Sequence, residues 1–147
     1  MSLDTSNAPR GIRNNNPGNM DFNLHEAPWQ GEIRPSRDPR FAQFDTMQDG
    51  VRALAKQLLI YHERHACNTV RQVINRWAPP VENVTSAYVS DVAAHCYVGP
   101  DDLFDFKSEG ALARLVRGVI DHENGQKASL AYVPPDVLAA GVKSALL

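Results

Sequence analysis

Leu112, Leu115, Val116, Val119 and Ile120 recur at i, i+3, i+4, i+7 and i+8. That spacing places apolar side chains along one face of a helix, and such a face has to be buried. The next position on the stripe holds Glu123, and Asn124 and Gly125 then stop the helix. A carboxylate therefore closes a buried stripe. One reading is structural: a small shift in where the helix ends turns Glu123 to the surface. The other is chemical. Apolar walls strip water from the carboxyl, and the negative end of the helix repels its charge. Both effects favour the protonated form. A neutral carboxylic acid is what protonation of a glycosidic oxygen requires.

Helical periodicity continues through most of the chain. Asp45 or Thr46 caps a helix with the stripe Val51, Leu54, Ala55, Leu58, Leu59 and His62. Asn68 or Thr69 caps a second, through Val70, Val73, Ile74 and Trp77, ended by Pro79 and Pro80, with Trp77 expected in the core. A third begins near Glu82–Thr85 and carries Tyr88, Val89, Val92, Ala93 and Cys96. Ser108 caps the Glu123 helix, and Pro134-Pro135-Asp136 opens a last one, Val137 to Leu147. Residues 1–44 are different: Pro9, Pro17, Pro28, Pro35, Pro39 and the run Asn14-Asn15-Asn16 predict irregular structure, with a short hairpin around Trp29–Ile33 and Phe41–Phe44. The expectation is a mainly α chain of about five helices: residues 1–10 a disordered lead, Met1-Ser2-Leu3 a cloning scar, and 11–147 one domain.

Composition narrows the classes of function. The formal net charge of −2 gives no basic field for nucleic acid. No apolar run reaches the roughly 20 residues of a membrane span, and no signal peptide is visible, so synthesis in the cytoplasm is expected. Cys67 and Cys96 fit no metal spacing; Cys96, on a helix stripe, reads as a buried free thiol, with a disulfide between the two as the alternative. His62 and His65 flank Glu63 without the His-Glu-x-x-His spacing or an evident third ligand, so no metal or other cofactor is expected. There is no Gly-x-Ser-x-Gly, and Cys96 and His95 are adjacent on a helix and point apart, so no nucleophilic triad is read.

Several stretches together carry a resemblance. VIDHENGQ resembles the end of the catalytic helix of soluble lytic transglycosylases and goose-type lysozymes, with Asn124 where that family has serine. PPVENVTSAYVSDV is similar to their Glu-Thr-x-x-Tyr-Val stretch through Glu82, Tyr88 and Val89, with Thr85 displaced. GIRNNNPGNM, WQGE and FAQFDTMQDGVRAL resemble blocks of related bacterial N-acetylglucosaminidases. As a whole, residues 10 to 130 look like phage virion and prophage proteins that degrade peptidoglycan, within the lysozyme-like superfamily. The order differs: here the asparagine loop leads and the Glu123 helix comes late, as in a circular permutation.

The resemblance implies a lysozyme-like domain that cleaves the MurNAc–GlcNAc β-1,4 bond. Glu123 would be its general acid and then its base. Glu82, at a helix start that favours a charged carboxylate, would line the sugar groove. Tyr88 would donate to the catalytic carboxyl or to an acetamide, or else be a core residue. Asn15 and Asn16 offer amides to sugar hydroxyls and are equally suited to turns. Trp29 is a candidate platform for a sugar ring. Glu32, Asp38 and Asp45 are possible second carboxylates for hydrolysis, and none stands out. A lytic transglycosylase, which uses one Glu and the C6 hydroxyl of muramic acid, is therefore favoured over a muramidase. The implied partners are glycan strands and phage virion or secretion components, with action in the periplasm or cell wall after delivery. The alternative is a non-catalytic virion or glycan-binding module on the same fold.

Overall fold

The structure is a computed structural model that describes residues 4–78 and 84–147. These residues form α1 (Arg10–Arg13), β1 (Glu32–Ile33), β2 (Gln43–Phe44), α2 (Met47–His65), α3 (Val70–Trp77), α4 (Val84–Cys96), α5 (Glu109–Asn124), α6 (Gln126–Tyr132) and α7 (Pro135–Ala145). The architecture is mainly α with one small sheet.

Three helix starts are set by the residues the sequence offered. Thr46, Thr69 and Ser108 each accept a hydrogen bond from the backbone N–H three residues on. Each thereby satisfies one of the donors a helix N-terminus leaves open. The α5 stripe is buried as its spacing requires, with Leu112, Leu115, Val116, Val119 and Ile120 all inaccessible to solvent. α5 packs against α4, α6, α7, α1 and α2 and is the central element of the core. Close crossings are made possible by glycine: a Cβ on Gly118 would lie 3.3 Å from the Val92 Cα of α4. On α2, a Cβ at Gly50 would collide with the Asn15 carbonyl oxygen, which lets the asparagine loop lie directly on the helix.

The irregular early segment is held by side chains. Asp38 takes Arg10 Nε at 2.7 Å and Nη2 at 2.6 Å, Asn14 Nδ2 at 3.0 Å, and the backbone N–H groups of Arg40 and Phe41, both at 2.8 Å. β1 and β2 pair antiparallel, with Glu32 opposite Phe44 and Ile33 opposite Gln43. This is the hairpin expected from the sequence, shortened to two residues a side. Two elements went unforeseen. One is α1, a single turn. The other is α6, which follows α5 after a kink at Gly125, whose φ of 85° ends one helix and starts the next. Residues 4–9 make a turn closed by Ala8 N–H to the Thr5 carbonyl, and the Tyr132 hydroxyl donates to the Asp4 carbonyl.

Cys67 and Cys96 are free and buried. Burial pushes the Cys96 thiol up to about 12. No described helix is long and apolar enough to cross a membrane.

Candidate active site

Glu123 lies in the last turn of α5 and lines a groove of about 830 Å³. Its two oxygens have different partners. Oε1 accepts from the Asn19 amide at 3.0 Å, and Oε2 accepts from the Tyr88 hydroxyl at 2.9 Å. The first contact joins residues 104 positions apart. The carboxyl is thus oriented from both sides while remaining partly exposed to the groove.

Each donor is fixed in turn. Asn19 sits in the left-handed region at φ 51°, a conformation that asparagine tolerates better than most residues. Its loop is tied to α5 by Asn124, whose amide donates to the Pro17 carbonyl at 2.7 Å and to the Ile120 carbonyl at 3.0 Å. Gly11 lies under this junction: a Cβ there would stand 2.8 Å from the Asn16 carbonyl oxygen and 2.9 Å from Asn124 Oδ1.

Tyr88 is 4% exposed, and its ring stacks on His122 with centroids 3.7 Å apart. The Asp91 carboxylate approaches His122 Nδ1 at 3.2 Å. Burial, and then the neighbouring Glu123 charge, push the Tyr88 hydroxyl far above the ordinary phenol value, so it remains a donor. Next to this stack, His95 Nε2 meets Asp121 at 2.8 Å. Burial works against a charge on His95, but the Asp91 carbonyl and the Asp121 carboxylate outweigh it and hold the imidazole above its usual value.

One wall of the groove is a face of α2. Gln57, Ile60, Tyr61, Arg64 and His65 line it at i, i+3, i+4, i+7 and i+8, with Trp77 and Ala78 beside them. The other wall comes from the early segment, through Asp21, Glu26, Trp29, Glu32, Arg34 and Arg40. The α2 wall was missed at the sequence level because attention went to the apolar stripe on the opposite side of that helix. Its signal was present, since polar and aromatic residues recur at helical spacing from Gln57 to His65.

The candidates named from the sequence divide as follows. Tyr88 contacts Glu123 and Trp29 lines the same groove. Asn15 and Asn16 do not line it. Asn15, at φ 53°, donates to the Phe44 carbonyl at 3.1 Å and borders a separate pocket of about 340 Å³. Asn16 is wholly buried, donating to the Met20 and Ala42 carbonyls and accepting from Met20 N–H. As placed, its amide is spent on backbone, and the groove-facing amide belongs to Asn19. Glu82, with Pro79 and Pro80, lies outside the described residues. Trp77 was expected in the core and is instead half-buried in the groove wall.

Of the three possible second carboxylates, only Glu32 lines the groove. It is bound by Arg34 at 3.0 Å and by the Trp29 N–H at 3.0 Å, with its side chain 1% exposed. Asp38 is consumed by Arg10 and the loop, and Asp45 is exposed elsewhere. Exposed Asp21 pairs with Arg40, and Glu26 stands exposed at the rim. Among the described residues, no group of three His, Cys, Asp or Glu side chains is placed to hold a metal ion.

Comparison with known proteins adds one relative. Over 119 residues the chain is 34% identical to "Protein P5" of Pseudoalteromonas phage PM2, an alignment covering 80% of this chain and 72% of that protein. No family model matches.

Proposed function

The chain belongs to the family of Protein P5 of Pseudoalteromonas phage PM2, and from that premise we propose that it is a lysozyme-like domain that cleaves the MurNAc–GlcNAc β-1,4 bond of peptidoglycan. One observation carries the reading: a groove-lining carboxyl, Glu123, gripped by Asn19 and Tyr88 on separate oxygens. The permuted order inferred from the sequence demands that a late helix end meet the early asparagine loop, and the Asn19–Glu123 and Asn124–Pro17 hydrogen bonds are such a meeting.

In the reaction, protonated Glu123 gives its proton to the glycosidic oxygen as the C1–O bond breaks. The resulting carboxylate then takes the proton of the muramic acid C6 hydroxyl as that oxygen bonds to C1. The products are a 1,6-anhydro end and a free C4 hydroxyl. Tyr88 and Asn19 position the carboxyl and supply donors that stabilise its charged state between the two half-reactions. Glu32, the buried groove carboxylate, is neutralised by Arg34, which favours a one-carboxylate transglycosylase over a hydrolase using a carboxylate pair. A phage protein of this kind would act on the wall during entry or release, reaching it with the virion or through a secretion apparatus.

Zymography on purified sacculi tests the assignment. Wild type is expected to clear the gel and Glu123→Gln to lose about a hundredfold or more in rate, with Glu82→Gln, at a residue expected to bind the sugar, losing less. Mass spectrometry of the released muropeptides should show 1,6-anhydro ends; reducing ends would mean hydrolysis. Equal clearing by wild type and Glu123→Gln would remove Glu123 from the chemistry, and no clearing by wild type would leave a glycan-binding or virion structural module.

A further inference from the structure

The charges on the two groove walls are not balanced in the same way. On the early-segment wall each arginine is matched: Arg34 by Glu32 at 3.0 Å and Arg40 by Asp21 at 3.0 Å. On the α2 wall, Arg64 is exposed and has no hydrogen-bond or ion-pair partner among the described residues. His65 lies beside it, exposed, and the Arg76 guanidinium stands 5.5 Å from the centroid of the Tyr61 ring on the same wall. The face from Gln57 to His65 spans eight rises of a helix, about 12 Å. It therefore carries a substrate from the half-buried part of the groove to a cationic end. The Arg64 guanidinium, uncommitted among the described residues, suits a carboxylate, which it can bind through two parallel N–H groups.

In an intact peptidoglycan strand the lactyl group is amide-linked and uncharged, and the carboxylates lie on the stem peptides. Resting on the proposed function, we infer that Arg64, assisted by Arg76 and His65, binds a stem-peptide carboxylate and makes the protein selective for peptide-bearing strands. Arg64 is thus a specificity residue for the glycan reaction, on a different wall element from the carboxyl that performs it. Its interaction is solvent-exposed and therefore screened by salt.

The test crosses three substrates with two proteins. The substrates are native sacculi, sacculi whose carboxylates have been converted to methylamides with carbodiimide, and amidase-stripped strands that keep only the lactyl carboxylate. Wild type should show a KM for native sacculi about fivefold below that for the other two, with kcat little changed, and the gap should narrow as salt is raised. Arg64→Gln should raise the KM for native sacculi by about the same factor and abolish the preference. Arg64→Lys should restore part of it. The inference falls if wild type treats native and methylamidated sacculi alike, if Arg64→Gln keeps the preference, or if stripped strands match native ones, which would make the lactyl group the ligand. Co-sedimentation of the Glu123→Gln protein with the same substrates, with and without Arg64→Gln, reads the site without catalysis. Charge-dependent binding that needs Arg64, in a protein whose wild type does not cleave, upholds the subsite and refutes the reaction. Charge-independent binding refutes the subsite alone.

Discussion

Asp38→Asn should be the most damaging conservative change outside the groove. The Asp38 carboxylate is 9% exposed and receives five hydrogen bonds, from Arg10 Nε and Nη2, Asn14 Nδ2, Arg40 N and Phe41 N. An asparagine can keep the three that reach Oδ1, but its amide nitrogen then faces Arg10 Nε and Asn14 Nδ2, a donor against donors. Asn14 cannot flip to compensate. Its own oxygen accepts from Gln43 Nε2, and Gln43 in turn accepts from the Arg37 backbone N–H, so the chain of amides has one direction. Hydrogen bonds to a charged group contribute roughly 1.5–3 kcal/mol each. The Arg10 side chain is 43% exposed and can turn to water, so the net loss is set near one and a half such bonds, about 3 kcal/mol. For a chain of this size that corresponds to a fall in Tm of roughly 6–12 °C. The loss also depends on pH. The Arg10 guanidinium holds the Asp38 carboxyl well below the usual carboxylate range. The stability it contributes is therefore full above the unfolded carboxyl's value, about 3.9, and is lost as pH falls from there toward the native value. Urea unfolding followed by far-UV circular dichroism should give a wild-type advantage of about 3 kcal/mol at pH 7 that shrinks steadily below about pH 4. A gap under about 1 kcal/mol at pH 7, or one unchanged at pH 2.5, would refute the reasoning.

Tyr88→Phe removes one of the two donors on Glu123 and should lower kcat on sacculi by about 10- to 100-fold, the equivalent of one charged hydrogen bond, while Tm falls by only a few degrees; unchanged kcat would make Tyr88 a packing residue alone. Gly11→Ala forces a methyl against the Asn16 carbonyl and Asn124 and should cost about 1–3 kcal/mol in urea unfolding, with activity falling further than the fraction folded. Cys96, 5% exposed and with its thiol pushed up to about 12, should not react with a disulfide reagent at pH 8 until denaturant is added; fast labelling of the folded protein would contradict its burial.

What was legible in the sequence followed from periodicity and capping, which are local. The α5 stripe, the Thr46, Thr69 and Ser108 caps and the short hairpin all need only neighbouring residues to be recognised. Glu123 stood out for the same reason, as a polar residue on an apolar period. Its partners were harder. Tyr88 enters through a resemblance, but the asparagine that meets Glu123 is Asn19, just beyond the run that holds Asn15 and Asn16. Residue type could not separate them, because an asparagine amide serves a turn and a ligand equally well. What separates them is where the backbone goes: Asn16 is turned inward by three backbone hydrogen bonds, and Asn19, after the Pro17-Gly18 turn, faces α5. The α6 helix was missed because Gly125 reads as a stop, and here it is a stop and a restart together.

Three separate parts of the chain meet at the Glu123 carboxyl. Glu123 belongs to α5, whose position is set by burial on several sides, and Tyr88 belongs to α4, packed along it. Asn19 belongs to a loop that buries Met20 in the core and is further positioned by polar ties and close approaches: Asp38 to α1, Asn124 to Pro17, and the contacts at Gly11 and Gly50. None of these ties requires the loop to precede or follow α5 in sequence, since each fixes a point in space. Met20, 8% exposed, anchors that loop in the core, so weakening the polar ties should release the Asn19 amide from Glu123 before the loop as a whole opens.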